Sequence, residues 1–188
     1  MSRRQREMRE GAVTDWATAP PPALVDYVLN RHHAFMRQQL PRMSALLTEA
    51  AQQGGNAEAF LRLRRLFGAF RVEIEHHLLT EELGLFPLIR GTDAAGQPLS
   101  AAEVAAAPEH VRHLAEEHLR IGPELGELRR LTAESIVPRP AGKSLGDFRD
   151  ALQAVESDLS AHAAFEDNVL FPRVLARQGR GASAGGAR

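Results

Sequence analysis

Apolar residues return at three- and four-residue intervals in four long blocks of this 188-residue chain. Leu24, Val25, Val28, Leu29, Met36, Leu40, Met43 and Leu47 mark the first block. They predict a helix over about 22–52, opened by Pro20-Pro21-Pro22 and bent at Pro41. Gly54-Gly55 ends it, and Asn56 caps a second helix whose buried stripe is Phe60, Leu63, Leu66, Phe67, Phe70, Ile74 and Leu78 and which runs to about Ile89. After a loop over 91–98, Ser100 and Glu103 read as the capping box of a short helix. Pro108 then opens a third long helix that reaches about Leu131, with a kink expected at Pro123. A second loop covers 137–142, and Ser144 with Asp147 is a weaker capping box for a fourth long helix. Phe148, Leu152, Val155, Leu159, Phe165 and Val169 line that helix to about Ala176. Four long helices joined by short loops leave no place for a sheet, so the fold expected is all-α: an antiparallel up-down four-helix bundle. Residues 20–177 form the bundle in this reading, preceded by an arm over 1–19, either frayed helix or disordered, and followed by a disordered tail over 178–188.

Composition narrows the chemistry. Ala and Leu are abundant, β-branched residues sparse and aromatics only 5%, which supports helix over strand. A formal net charge of -1 provides no field to recruit nucleic acid or an anionic membrane. No apolar run has membrane-spanning length, and the charged start lacks the apolar segment of a secretory signal, so the default compartment is the cytoplasm. With no cysteine the chain has no disulfide, no thiolate metal site and no cysteine nucleophile. Histidine and carboxylate remain.

These two residue types recur together. His77 and Glu81 lie one helical turn apart and are followed by Leu85-Phe86-Pro87. His162 and Glu166, followed by Leu170-Phe171-Pro172, repeat the pattern 85 residues later. The same offset carries His33 onto His118, Leu40 onto Leu125 and Glu73 onto Asp158. The chain therefore reads as two copies of a helical hairpin, each with one His on its first helix and His-xxx-Glu on its second. Stacked about a pseudo-two-fold axis, the copies bring four imidazoles and two carboxylates to the centre of the bundle. Two metal ions fit that set, each taking two His, with Glu81 and Glu166 bridging the pair and an oxide or hydroxide bridge completing five-coordination. Iron, manganese, zinc and copper all accept such donors. The alternative of two Glu-x-x-His motifs plus two further Glu fails, because Glu73-Ile74-Glu75-His76 supplies the motif once and residue 161 is Ala. Glu73 and Asp158, one turn before a ligand His, are placed to accept its other ring N–H, while Glu82 and Asp167 read as outer carboxylates or solvated groups. His76, His110 and His113 fall outside the repeat and read as surface or hydrogen-bonded residues.

Four segments taken together resemble the hemerythrin-like superfamily, and within it the repair-of-iron-centres proteins. They are Arg31-His32-His33 with Arg37 and Leu40-Pro41; His77-xxx-Glu81-Glu82 with Leu85-Phe86-Pro87; Glu117-His118 with Gly122; and His162-xxx-Glu166-Asp167-Asn168-Val169-Leu170-Phe171-Pro172-Arg173. They stand in order and at matching spacing over about residues 24–176. The resemblance implies His33, His77, Glu81, His118, His162 and Glu166 as ligands of two non-haem iron ions with an oxo or hydroxo bridge. It implies Glu73 and Glu117 as carboxylates near a path to the metals. Oxygen-carrying relatives use a fifth His one turn from the third-helix ligand. Leu114 and Gly122 occupy those places here, which argues against an oxygen carrier. The chain departs from many members in having no Cys in its short arm, and in carrying His32 where Tyr is common before the first ligand. A His in that place offers a substitute for His33, or a supplement to it.

The function the resemblance implies is supply of iron to damaged iron–sulfur clusters under nitrosative and oxidative stress, together with reduction of nitric oxide at the metal pair. The partners would then be small diatomics, oxygen or nitric oxide, and iron–sulfur proteins, with the chain itself a monomer or homodimer. The rival readings are a reversible oxygen or nitric oxide carrier or sensor, a di-iron peroxidase-like enzyme, and a metal-free association module.

Overall fold

The chain is described by a computed structural model over residues 15–52, 57–92, 96–135 and 143–176. Helix α1 is continuous over Pro21–Tyr27, Val28–His33 and Ala34–Ala50; α2 over Ala57–Thr80, Glu81–Leu85 and Phe86–Arg90. A short α3 (Ala101–Ala105) leads into α4 (Ala107–Ser135). The last helix, α5, joins Lys143–Phe165 to Glu166–Leu170 and continues through 171–176. The expected antiparallel four-helix bundle is what forms. α1 packs against α2 and α5, α4 against α2 and α5, and every one of these neighbours runs antiparallel. Ser44 meets Arg71 where His33 meets Glu82, and Glu49 meets Ser144 where His32 meets Asp158. Among the described residues there is no strand, only an isolated bridge between Thr92 and Pro98.

Local chemistry explains the ends. Pro20 stands extended before α1, with prolines in the first turn, where a missing N–H costs nothing. Gly91 ends α2 in the left-handed region at φ 80° and donates its N–H to the Pro87 carbonyl at 2.8 Å, a closure that favours glycine. Ser100 and Glu103 form the reciprocal capping box expected of them. Ser144 does not cap α5. It lies inside the helix, buried, and its hydroxyl donates to Glu49 of α1, so the weaker capping signal there was a tertiary contact. Both α1 and α4 continue through Pro41 and Pro123.

The expected cap at Asn56, the Gly54-Gly55 stop, the loop over 137–142, the tail over 178–188 and the arm before residue 15 lie outside the described residues. Residues 15–19, the end of that arm, form a turn seated on the bundle. Trp16 packs on Tyr27 and Phe165, and Arg173 donates to the Trp16 and Ala19 carbonyls.

Two apolar clusters fill the interior. The larger contains Met36, Phe70, Ile74, Leu78, Phe148, Leu159 and their neighbours. The smaller, at the other end, contains Val28, Leu85, Phe86, Leu114, Leu170 and Phe171. Between them lies a layer of buried His and Glu. Burying charge between two greasy halves is costly unless every group is compensated. That layer is the candidate site.

Candidate metal centre

Three short π-helical stretches were not foreseen from the sequence: Val28–His33, Glu81–Leu85 and Glu166–Leu170. Each carries a site residue, His33 at the end of the first and Glu81 and Glu166 at the head of the other two. A π turn holds one residue more than an α turn and re-aims the side chains around it. Here the extra residue falls one turn after His77 and His162, where the carboxylates enter the core.

All six repeat-matched residues converge. The Glu81 carboxylate sets Oε2 2.8 Å from His33 Nε2 and 3.6 Å from His162 Nε2, and sets Oε1 3.2 Å from His77 Nε2. Glu166 sets Oε1 3.1 Å from His162 Nε2 and Oε2 3.4 Å from His118 Nε2. Each carboxylate thus presents one oxygen towards the His33–His162 side and the other towards the His77–His118 side. His77, Glu81, His162 and Glu166 offer atoms that all lie within 4.8 Å of one another. Six atoms, the Nε2 of His77, His118 and His162, Glu81 Oε1 and both Glu166 oxygens, are buried without a hydrogen-bond partner. Orphaned buried donors and acceptors are rare in folded proteins, and a cluster of them aimed at one space calls for a cation. The donor set fits one.

Behind the converging residues stand three outer carboxylates, each against the Nδ1 of one imidazole. His33 Nδ1–H donates to Glu82 at 2.6 Å, His77 Nδ1–H to Glu117 at 2.7 Å, and His118 Nδ1–H to Asp167 at 3.1 Å. In a neutral ring with Nδ1 protonated, Nε2 keeps its lone pair for the interior. Arg37 grips Glu82 with hydrogen bonds of 2.6 and 2.7 Å. The resemblance sets Glu117 near a path to the metals, and the sequence reads Glu82 and Asp167 as outer carboxylates or solvated groups; in the structure each of the three meets one imidazole. The signal available for Glu82 and Asp167 was their own register: both follow the interior Glu directly, 85 residues apart.

Glu73 does not take the place expected for it. It faces Arg120 at 3.5 Å, because the nitrogen of His77 that it was to hold is already taken by Glu117. Asp158 does not reach His162 either. It accepts from His32 Nδ1 at 3.0 Å and pairs with Arg31 at 2.9 Å. His32 is buried, with Nε2 unpartnered, and its ring lies flat on His162, 5.2 Å between centroids and 7° from parallel. It therefore neither replaces His33 nor points away from the site. The repeat explains the arrangement. Residue 32 corresponds to Glu117, so where His77 has a carboxylate behind it, His162 has a stacked imidazole. Among the described residues no carboxylate accepts from His162 Nδ1.

Burial sets the electrostatics. Desolvation pulls His33 down to about 4 despite its bond to Glu82, and lowers His77 against the pull of Glu117. His118 is also desolvated, yet Glu166 and Asp167 outweigh this and raise it. Burial and the neighbouring Glu166 push Glu81 well above the carboxylate range. Burial pulls Glu166 the same way, but the imidazoles of His162 and His118 win and hold it low. The two interior carboxyl groups are therefore pushed in opposite directions, Glu81 up and Glu166 down.

The chain matches the hemerythrin HHE cation binding domain over residues 24–174. It is 30% identical over 167 residues to the iron-sulfur cluster repair protein YtfE of Citrobacter koseri, an alignment covering 86% of this chain and 70% of the relative. Proteins of the same name from Escherichia coli O1:K1 / APEC and Escherichia fergusonii are 29% identical with the same coverage.

Proposed function

This chain belongs to the hemerythrin HHE cation binding domain family, and we propose that it holds two iron ions and supplies iron to damaged iron–sulfur clusters. The observation that carries the reading is the way each interior carboxylate divides its oxygens between two pairs of imidazoles. One cation would sit with His33 and His162, the other with His77 and His118, and Glu81 and Glu166 would bridge them. Donor type suits several metals. Iron is favoured by the relatives, which are iron-sulfur cluster repair proteins.

Bound iron would supply redox chemistry and Lewis acidity at the centre of the bundle. The protein's own part is positional. Glu82, Glu117 and Asp167 each hold the Nδ1 side of one imidazole and so aim three Nε2 atoms inward. Phe86 packs on His33, and Phe171 stacks on His118, so the donors are walled from water on the side of the smaller cluster. Two imidazoles and one oxygen of each carboxylate would give each metal four protein donors and leave room for a small exogenous ligand, oxygen or nitric oxide in this proposal. Reversible oxygen carriage is disfavoured, since Leu114 is a buried apolar residue and Gly122 offers no donor.

The test is iron transfer. Iron-loaded protein is mixed anaerobically with an iron–sulfur enzyme whose cluster has lost iron, and recovery of the cluster spectrum is followed. Wild type should restore it, and Glu81→Ala and Glu166→Ala should not. If loaded wild type transferred no more iron than an equal amount of free ferrous salt, the repair reading would be wrong.

A further inference from the structure

Helix α2 is apolar on the wrong side as well as the right one. Leu63, Phe67, Phe70, Ile74 and Leu78 face the core. On the opposite, outward face stand Leu61, Val72, Leu79 and Leu83, exposed by 55%, 66%, 49% and 66%. Of the seven large apolar side chains most exposed among the described residues, four belong to this one stripe. Exposed Gly68 and Ala69 fill the gap between Leu61 and Val72, and nothing stands within 4 Å of the position a Gly68 side chain would take. Arg65 and His76 stand exposed on the same face and break the line, yet four exposed large apolar side chains on one helix face mark an interaction surface.

The order of residues says what the surface fits. Reflecting the stripe through Val72 exchanges Leu61 with Leu83, Arg65 with Leu79, Gly68 with His76 and Arg62 with Glu82. Large falls on large at the ends and large on small beside the centre. The charges are complementary in the same sense. Arg62, Arg64 and Arg65 stand exposed in the first half, and Arg64 and Arg65 have no ion pair among the described residues. Glu75 and Glu82 stand in the second half, Glu75 paired with Arg71 and Glu82 with Arg37 and His33 within the chain. The second end is hollowed by about 330 Å³ beside Leu29, Glu82, Leu83, Phe86 and Arg90.

We propose that α2 docks on the α2 of a second copy of this chain, antiparallel, with Val72 on the two-fold axis. In that register Leu61 of each copy enters the hollow beside the other's Leu83, and His76 lies over the other's Gly68. The basic half of each helix faces the acidic half of its partner. A two-fold interface is self-complementary by construction, which is the property the reflected sequence has. Ridges three and four residues apart, as here, are those that antiparallel helices interlock. The contact also sets the basic cluster of one copy beside the other's Glu82, the carboxylate that holds His33.

Sedimentation of the full chain across a range of concentrations should show a monomer–dimer equilibrium. Val72→Arg puts like charges across the axis and should weaken it at least about tenfold, with helical content and metal content unchanged because the side chain points away from core and site. The chain has no cysteine, so single nitroxide labels at Val72→Cys or Leu61→Cys report register without ambiguity. The 72–72 distance should be short and the 61–61 distance longer, with backbones about 33 Å apart for 22 residues of helix. A chain that stays monomeric at every concentration overturns the proposal and assigns the stripe to a different protein. A dimer indifferent to Val72→Arg overturns it too, as does a 61–61 distance as short as the 72–72 distance.

Discussion

Glu81 and Glu166 are equivalent in the repeat, yet the fold sets their proton affinities apart. Glu81 sits nearest His33, whose desolvated ring is driven towards neutrality, and Glu166 sits between His118 and His162. A proton and a cation would compete for the same Glu81 oxygens. The affinity of Glu81 for the proton is raised, so acidification favours the proton and opposes the metal. Metal affinity should fall steadily as pH is lowered from about 8 to 6, with protons released on binding, as titration calorimetry in buffers of different ionisation enthalpy would record. Affinity independent of pH over that range would contradict the assignment. The outer carboxylates supply a second prediction. Glu82→Ala and Glu117→Gln should each lower metal affinity by about 10–100-fold, whereas Glu73→Ala, whose neighbours are Arg120 and Glu124, should leave it unchanged. Competition with a metallochromic chelator measures all three. An equal loss for Glu73→Ala would mean that its carboxylate works at the site after all.

At the scale of the elements, the helices and the six converging residues were legible because helical periodicity and the 85-residue offset are written directly in residue order. The π turns were not. Inserting one residue in a turn leaves the His-xxx-Glu spacing unchanged, and only packing decides that Glu81 and Glu166 begin such a turn. Contacts across helices were equally hidden: Asp158 with His32, Glu82 with His33, and Ser144 with Glu49. His110 shows the same limit. It reads as a surface residue, yet its ring lies against the Gly84 backbone in the π turn of α2, 2.9 Å from where a side chain would begin. Gly84→Ala should therefore destabilise the chain by about 1–2 kcal/mol, and adding His110→Ala should recover most of that loss. Denaturant unfolding of the two single variants and the double variant tests the coupling. Additive effects would show that the ring can move aside freely.

For the molecule as a whole, the polar layer divides one core into two clusters and is stable as such only when its charges are compensated. A cation that binds the folded chain and not the unfolded one contributes about 2.7 kcal/mol at a concentration 100 times its dissociation constant. Stripping the metal should then lower the melting temperature by roughly 5–10 °C for a domain of this size. The proposed docking of α2 would add a second copy to the same picture, with the six converging residues all from one chain. No helix among the described residues is long and apolar enough to cross a membrane. The central claim is the shared-carboxylate pair, and iron stoichiometry of the anaerobically loaded chain with its Mössbauer spectrum addresses it most directly. The account predicts about two irons per chain in a coupled pair, lost together in Glu81→Ala and in Glu166→Ala. A single iron per chain in wild type, or two irons retained without either carboxylate, would contradict it.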